Sequence, residues 1–150
     1  MGWFERLAGN QHIEMVMLAN NDGRILRSSR PMRSSDELMA SMFQAAEVLA
    51  QTLADEFELG SAEMVQISTQ YGHLMLFPLA RSTHYVVVVV ERTAPYLLLM
   101  VEITRVLKMV TPDDLAVYAQ VVGRSDDLSD LDAAELIEAV REWLQQRPHE

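Results

Sequence analysis

The chain of 150 residues contains no cysteine, which excludes disulfide bridges, thiolate metal sites and a cysteine nucleophile. That absence suits a reducing compartment, and the expected localisation is cytoplasmic. Long hydrophobic runs are also missing. The longest, "YVVVVV" at 85–90, falls far short of the roughly 20 residues that a membrane-spanning helix needs. The opening "MGWFERLAGN" places Glu5 and Arg6 where a secretory signal would carry its apolar stretch. No integral membrane segment is therefore expected. Basic residues are scarce, 12 Lys and Arg against 22 Asp and Glu, for a net charge of −10. A phosphate backbone would repel such a chain, and nucleic acid is not an expected partner.

Signatures of chemistry are absent too. His12, His73, His84 and His149 form no H-x-x-x-H or H-E-x-x-H pair, and no cysteine can complete a zinc set. Only His73 and His84, on neighbouring predicted strands, are placed so that they could meet. There is no G-x-x-x-x-G-K-[ST] loop, no G-x-S-x-G elbow and no glycine-rich dinucleotide turn. The expectation is a protein that is not an enzyme and uses no cofactor and no metal.

What is present is an ordinary globular composition, 49% apolar and 23% charged. Charge is unevenly placed. Residues 1–110 hold nine basic and twelve acidic side chains, whereas residues 111–150 hold three and ten. The shift at Val110 suggests a domain over 1–110 and an acidic helical tail over 111–150.

Along the chain, "HIEMVMLA" (12–19) and "ILRSS" (25–29) read as strands joined through "NNDG". Asp-Gly between two strand-like runs marks a hairpin, with Gly23 supplying positive φ. A calcium loop would need further spaced acids, and Asp22 stands alone. Arg24 and Arg27, with Arg30 beyond, suit an edge strand. Residues 34–60 predict the longest helix, capped by Ser34 with Glu37 or by Ser35, and ended by Gly60. Its polar stripe is Glu37, Ser41, Gln44, Glu47, Gln51, Asp55 and Glu58. Its apolar residues fill two rows: Leu38, Met42, Ala45 and Leu49, then Met39, Phe43, Ala46, Ala50, Leu53 and Phe57. Together the rows sweep roughly 160°, against about 100° for a helix lying on one sheet. The surplus suggests a homodimer, with Met39, Phe43, Ala46, Ala50 and Leu53 at its interface.

Strands follow at 64–69, 74–79 and 84–91. Pro78 belongs at a strand end, and the five valines at 86–90 leave no polar face, so that strand should be central and covered on both sides. A second helix from Pro95 to Val110 has a core stripe of Tyr96, Leu99, Met100, Ile103, Val106, Leu107 and Val110. Its other face mixes Leu97, Leu98, Val101 and Met109 with charges. Either this helix is buried on two sides, or Leu97, Leu98, Val101, Arg105 and Lys108 form a partner interface. "TPDD" starts a short helix at Thr111 that Gly123 stops. A further helix is capped at Ser129, with Ala133, Leu136, Ile137, Val140, Trp143 and Leu144 on one face.

In this order, "MLANNDGRILRSS", "FELGSAEMVQISTQYGHLMLFPL", "HYVVVVVE" and "APYLLLMVEITRVLKMV" resemble the Roadblock/dynein light chain family over about residues 12–110. The resemblance implies an α+β fold of the α/β class, a five-stranded, mainly antiparallel sheet with two main helices, here with a C-terminal helical tail. It implies dimers that act as non-catalytic regulators or scaffolds of small Ras-like GTPases, or as adaptors. Bacterial members similar to mutual gliding protein B add C-terminal segments and regulate a partner GTPase. The alternatives are a small-molecule-sensing domain and an acidic dimeric chaperone of a secreted protein.

Overall fold

The computed structural model describes residues 2–31, 33–79 and 82–119, together with 137–138 and 141–142. Helix α1 (Trp3–Ala8) is followed by strands β1 (Ile13–Asn20) and β2 (Arg24–Ser28), helix α2 (Asp36–Glu56), strands β3 (Val65–Ser68), β4 (Gly72–Pro78) and β5 (His84–Glu91), then helices α3 (Tyr96–Lys108) and α4 (Pro112–Ala119). The strands form one sheet in the order β2-β1-β5-β4-β3, and every neighbouring pair is antiparallel. The helix expected from Ser129 lies outside the described residues, apart from 137–138 and 141–142, which are helical.

The valine strand is the centre of the sheet, as its sequence predicts. Successive strand side chains point to opposite faces, so β5 contributes to two cores. Val86, Val88 and Val90 pack with Phe4 and Leu7 of α1, with Leu99, Ile103 and Val106 of α3, and with Leu115 of α4. Tyr85 and Val87 turn the other way, toward Met17, Ala19, Leu76 and Phe43 of α2. Pro78 ends β4 opposite Tyr85, where its missing N–H costs the ladder least. Gly72 begins that strand against β5. A Cβ there would collide with the Val90 carbonyl oxygen, so only glycine permits this approach.

The first hairpin forms at "NNDG", as its sequence predicts. Asn20 pairs with Arg24, leaving Asn21, Asp22 and Gly23 as the loop, and Gly23 has φ 82°. The buried Asn20 side chain fixes the turn. Its Oδ1 accepts from the backbone N–H of Asp22 at 3.1 Å and of Arg24 at 3.3 Å. The strand β2 that follows is an outer strand of the sheet, consistent with its arginines.

Helix α1 is not foreshadowed by periodicity. Its sequence signal is slight, Phe4 and Leu7 three residues apart, yet both are buried. It is tied to later parts of the chain by Arg27, whose guanidinium lies 4.1 Å from the Phe4 ring centroid. Arg27 Nη2 donates to Glu5 Oε1 at 3.0 Å, and Nη1 donates to the Tyr118 hydroxyl at 3.4 Å. These bonds, led by that to Tyr118, raise the Arg27 pKa. Helix α4 begins with a reciprocal cap: the Asp114 N–H donates to Thr111 Oγ1, and the Thr111 N–H donates to Asp114 Oδ2. With Leu115 buried, the first helix of the acidic segment packs on the domain.

The ends of α2 are only partly as expected. Ser35, not Ser34, is the cap, accepting from the Leu38 N–H at 3.2 Å. The helix stops before Gly60. Glu58 takes the left-handed conformation, φ 55°, while Leu59 N–H bonds Ala54 O at 2.8 Å and Glu58 N–H bonds Asp55 O at 3.1 Å. This is the closing pattern usually given to glycine. Because a side chain is strained at that φ, Glu58→Gly should stabilise the protein by about 0.5–1 kcal/mol. A thermal melt followed by circular dichroism checks it, with Tm expected to rise by about 1–4 °C.

Candidate interaction site

The hairpin at 20–29 is accounted for by its own turn bonds, and the histidines do not converge. His73 lies opposite Val90, and its Nδ1 is 2.9 Å from Ser68 Oγ. His84 starts β5 at the other end of the β4–β5 ladder and pairs with Asn20. Six residues of strand separate the level of Val90 from that of His84, about 20 Å, so the meeting of His73 and His84 considered from sequence does not occur. Among the described residues no group of three potential metal ligands is found.

Among the described residues the outward face of α3 is uncovered. Leu97, Leu98 and Val101 are 77%, 73% and 56% exposed, and Arg105 and Lys108 are exposed beside them. The helix is therefore not buried on two sides among the described residues. Leu99, Ile103 and Val106 fill the core on the opposite side, and the periodicity of 3.6 leaves the intervening leucines outside. Met100, Val101, Thr104, Arg105 and Lys108 line an open trough of about 440 Å³. A smaller one, about 190 Å³, continues from Thr104 and Lys108 to Phe77, Pro78 and Leu79.

Helix α2 presents the second surface, rotated from the simplest reading of its pattern. Phe43 is buried, with its ring edge-on to Tyr85 at 6.4 Å. Met39 is half-buried against the same cluster. These two face their own sheet, which corrects the expectation that Phe43 lies at a dimer interface. A charge at Phe43 would disrupt the fold itself. Ala46 and Ala50 are half-buried, whereas Leu49, Leu53 and Phe57 are 45%, 60% and 68% exposed.

The middle of the polar stripe is drawn inward, while Glu37, Asp55 and Glu58 at its ends are exposed. Ser41 is buried and donates to Glu37 O at 2.8 Å. Gln51 holds the following loop, donating to Gly60 O at 3.1 Å and accepting from the Ala62 N–H at 3.0 Å. Glu47 is half-buried, and that burial raises its carboxyl pKa. For Ser41 and Gln51 the reason is local: each has a backbone or loop partner to reach, which solvent exposure would not supply. Beside α2, β3 is the other outer strand of the sheet, and its Ile67 is 49% exposed.

These features describe a small α+β domain, one antiparallel sheet between helical layers with apolar surface left over on both. The chain belongs to the Roadblock/LC7 domain family, whose sequence pattern matches residues 3–90. The match begins at α1 and so includes the element that periodicity misses. Among curated proteins, none matches the chain. Among solved structures it is similar to a Roadblock/LC7 domain from Streptomyces avermitilis, with 19% identity, TM-score 0.65, and 75% of this chain and 96% of that one covered. It is also similar to MglB of Myxococcus xanthus, with 14% identity, TM-score 0.60 and coverage of 83% and 89%. The gliding protein MglB of Thermus thermophilus follows, with 16% identity, TM-score 0.56 and coverage of 79% and 84%. Likeness at this identity establishes the fold.

The half-buried Glu47 generates a pH prediction. Its folded pKa is raised by burial, so its contribution is most favourable below the ordinary carboxyl range and is lost as pH rises through the folded value. Glu47→Gln should therefore raise Tm at pH 7, with the gain shrinking toward pH 4. Parallel melts of the two proteins across that range check the sign.

Proposed function

We infer that the protein is a non-catalytic regulator or scaffold of a small Ras-like GTPase and works as a homodimer in the cytoplasm. The observation that carries this reading is the uncovered α3 row in a Roadblock/LC7 domain: Leu97, Leu98 and Val101 exposed beside Arg105 and Lys108. Family membership supports this class of partner. Structural neighbours include gliding proteins MglB, consistent with the bacterial branch that the sequence resembles. Apolar anchors of this kind are each worth roughly 1.5–3 kcal/mol when fully buried, and the two cations would orient an acidic partner.

Self-association is supported separately by α2 and β3. Leu49, Leu53 and Phe57 are exposed, with the small side chains of Ala46 and Ala50 between them to allow close helix approach. The outer edge of β3 offers backbone groups for pairing. A second copy meeting this surface about a two-fold axis would cover both. In this arrangement Leu53, Ala46 and Ala50 belong to the dimer, and the acidic segment 111–150 begins with α4 packed on the domain. The small-molecule-sensing alternative asks for an enclosed pocket with converging polar groups, whereas the troughs along α3 are open.

The test is affinity recovery with the full chain as bait, in extracts of its host supplied with a GTP or a GDP analogue. Recovery of a Ras-like GTPase that differs between the two nucleotides is expected. Leu97→Glu combined with Val101→Glu should reduce that recovery at least about tenfold, the loss of two anchors, while Tm stays within about 2 °C of the parent, as befits surface positions. If no GTPase is recovered with either nucleotide, the proposed partner class is wrong.

A further inference from the structure

We propose that the C-terminal segment 129–147 of this same chain docks on the outward face of α3 and competes there with an external partner. The competition rests on the function inferred above; the docking does not.

Three observations select this occupant. The first is where the chain runs. Helix α4 starts shortly beyond the end of α3, and Leu115 and Tyr118 hold it to the sheet face that α3 also covers. The nine residues from 120 to 128 span up to about 30 Å when extended. Helix α3, with 13 residues, is only about 20 Å long, so its entire outward face is within reach.

The second is charge. Residues 120–150 carry eight acidic and three basic side chains. The main α3 trough is lined by Arg105 and Lys108 and by no acidic residue, and Glu63 is the one acid lining its smaller continuation. An external acidic partner must be recruited to this surface, whereas the tail is tethered beside it. Linkage through so short a segment raises the effective concentration of the tail to the millimolar range.

The third is pattern. Leu136, Val140 and Trp143, with Ile137 and Leu144, recur at the spacing of one helix face, a form suited to an apolar trough. The four described positions of this segment sort accordingly. Ile137 is half-buried, whereas Glu138, Arg141 and Glu142 are exposed, and Arg141 Nη1 is 3.0 Å from Glu138 Oε2 on the polar side. The sequence thus pairs an acidic amphipathic segment with a basic-flanked apolar row in the same chain.

The absence of native cysteine makes the test direct. The full-length Val101→Cys, Val140→Cys protein is oxidised under dilute conditions and compared with a Thr52→Cys, Val140→Cys control. Thr52 is exposed on α2, across the sheet, so the control has the same tether without the proposed docking. Circular dichroism verifies that both proteins are folded. The expected result is a disulfide at single-chain mass that forms at least about tenfold faster in the 101–140 pair, since docking adds local concentration to that of the tether. High salt and an added Leu98→Glu should each slow it toward the control rate.

Equal rates in the two pairs would overturn the proposal and leave the α3 partner surface standing. A product found only at twice the chain mass would also overturn it, by assigning the tail to a second copy. Conversely, fast crosslinking in a protein that recovers no GTPase would uphold the docking and remove the inferred partner.

Discussion

Strand β5 must be paired along both edges and covered on both faces, and the rest of the structure is arranged to meet that demand. "YVVVVV" offers a continuous apolar run to both faces, so exposure of either would leave branched apolar groups in water. Strands β1 and β4 satisfy the edges. Helices α1, α3 and α4 cover one face, and α2 covers the other. Buried valines also restrict side-chain freedom before folding, because branching at Cβ limits χ1. The centre of the sheet is therefore rigid, and variation is confined to its outer strands and to the outer faces of its helices.

Those outer faces carry the functional interest. A helix on a sheet needs an apolar stripe of about 100°, and both α2 and α3 exceed it. On α3 the excess is Leu97, Leu98 and Val101, and on α2 it is Leu49, Leu53 and Phe57. Isolated surface leucines need no explanation, but two rows on two faces of one small domain do. The α2 row is proposed for the second copy and the α3 row for a partner, with the chain's own acidic segment as a competitor for the latter.

Much of the fold was legible because local and global signals agree. Asp22-Gly23 forms the turn, Pro78 ends its strand, Thr111 caps its helix, and the valine run lies at the centre. Elements escape a sequence reading where tertiary contacts outweigh local pattern. Six residues give α1 too few turns to show a period; it exists because Phe4 and Leu7 seal one end of a core made by other elements. Glu58 occupies a position usually given to glycine, so Gly60 marks the end of α2 too late. The orientation of α2 was least legible. Its pattern shows how wide the apolar sector is but not which edge of it meets the sheet, and Phe43 and Leu53 consequently fall on opposite sides of that division. The α3 row was visible in sequence as a surplus, and its exposure follows from where Leu99, Ile103 and Val106 meet β5.

The central proposal is that a second copy of the chain covers the outer row of α2 and the open edge of β3. Amide hydrogen exchange of β3, resolved by residue, tests it most directly. In a dimer, the β3 amides that do not bond β4 are protected at micromolar concentration. That protection falls on dilution or in Leu53→Asp, while β1 and β5 stay protected throughout. Rapid exchange of those β3 amides at every concentration, with the core strands intact, would contradict the account.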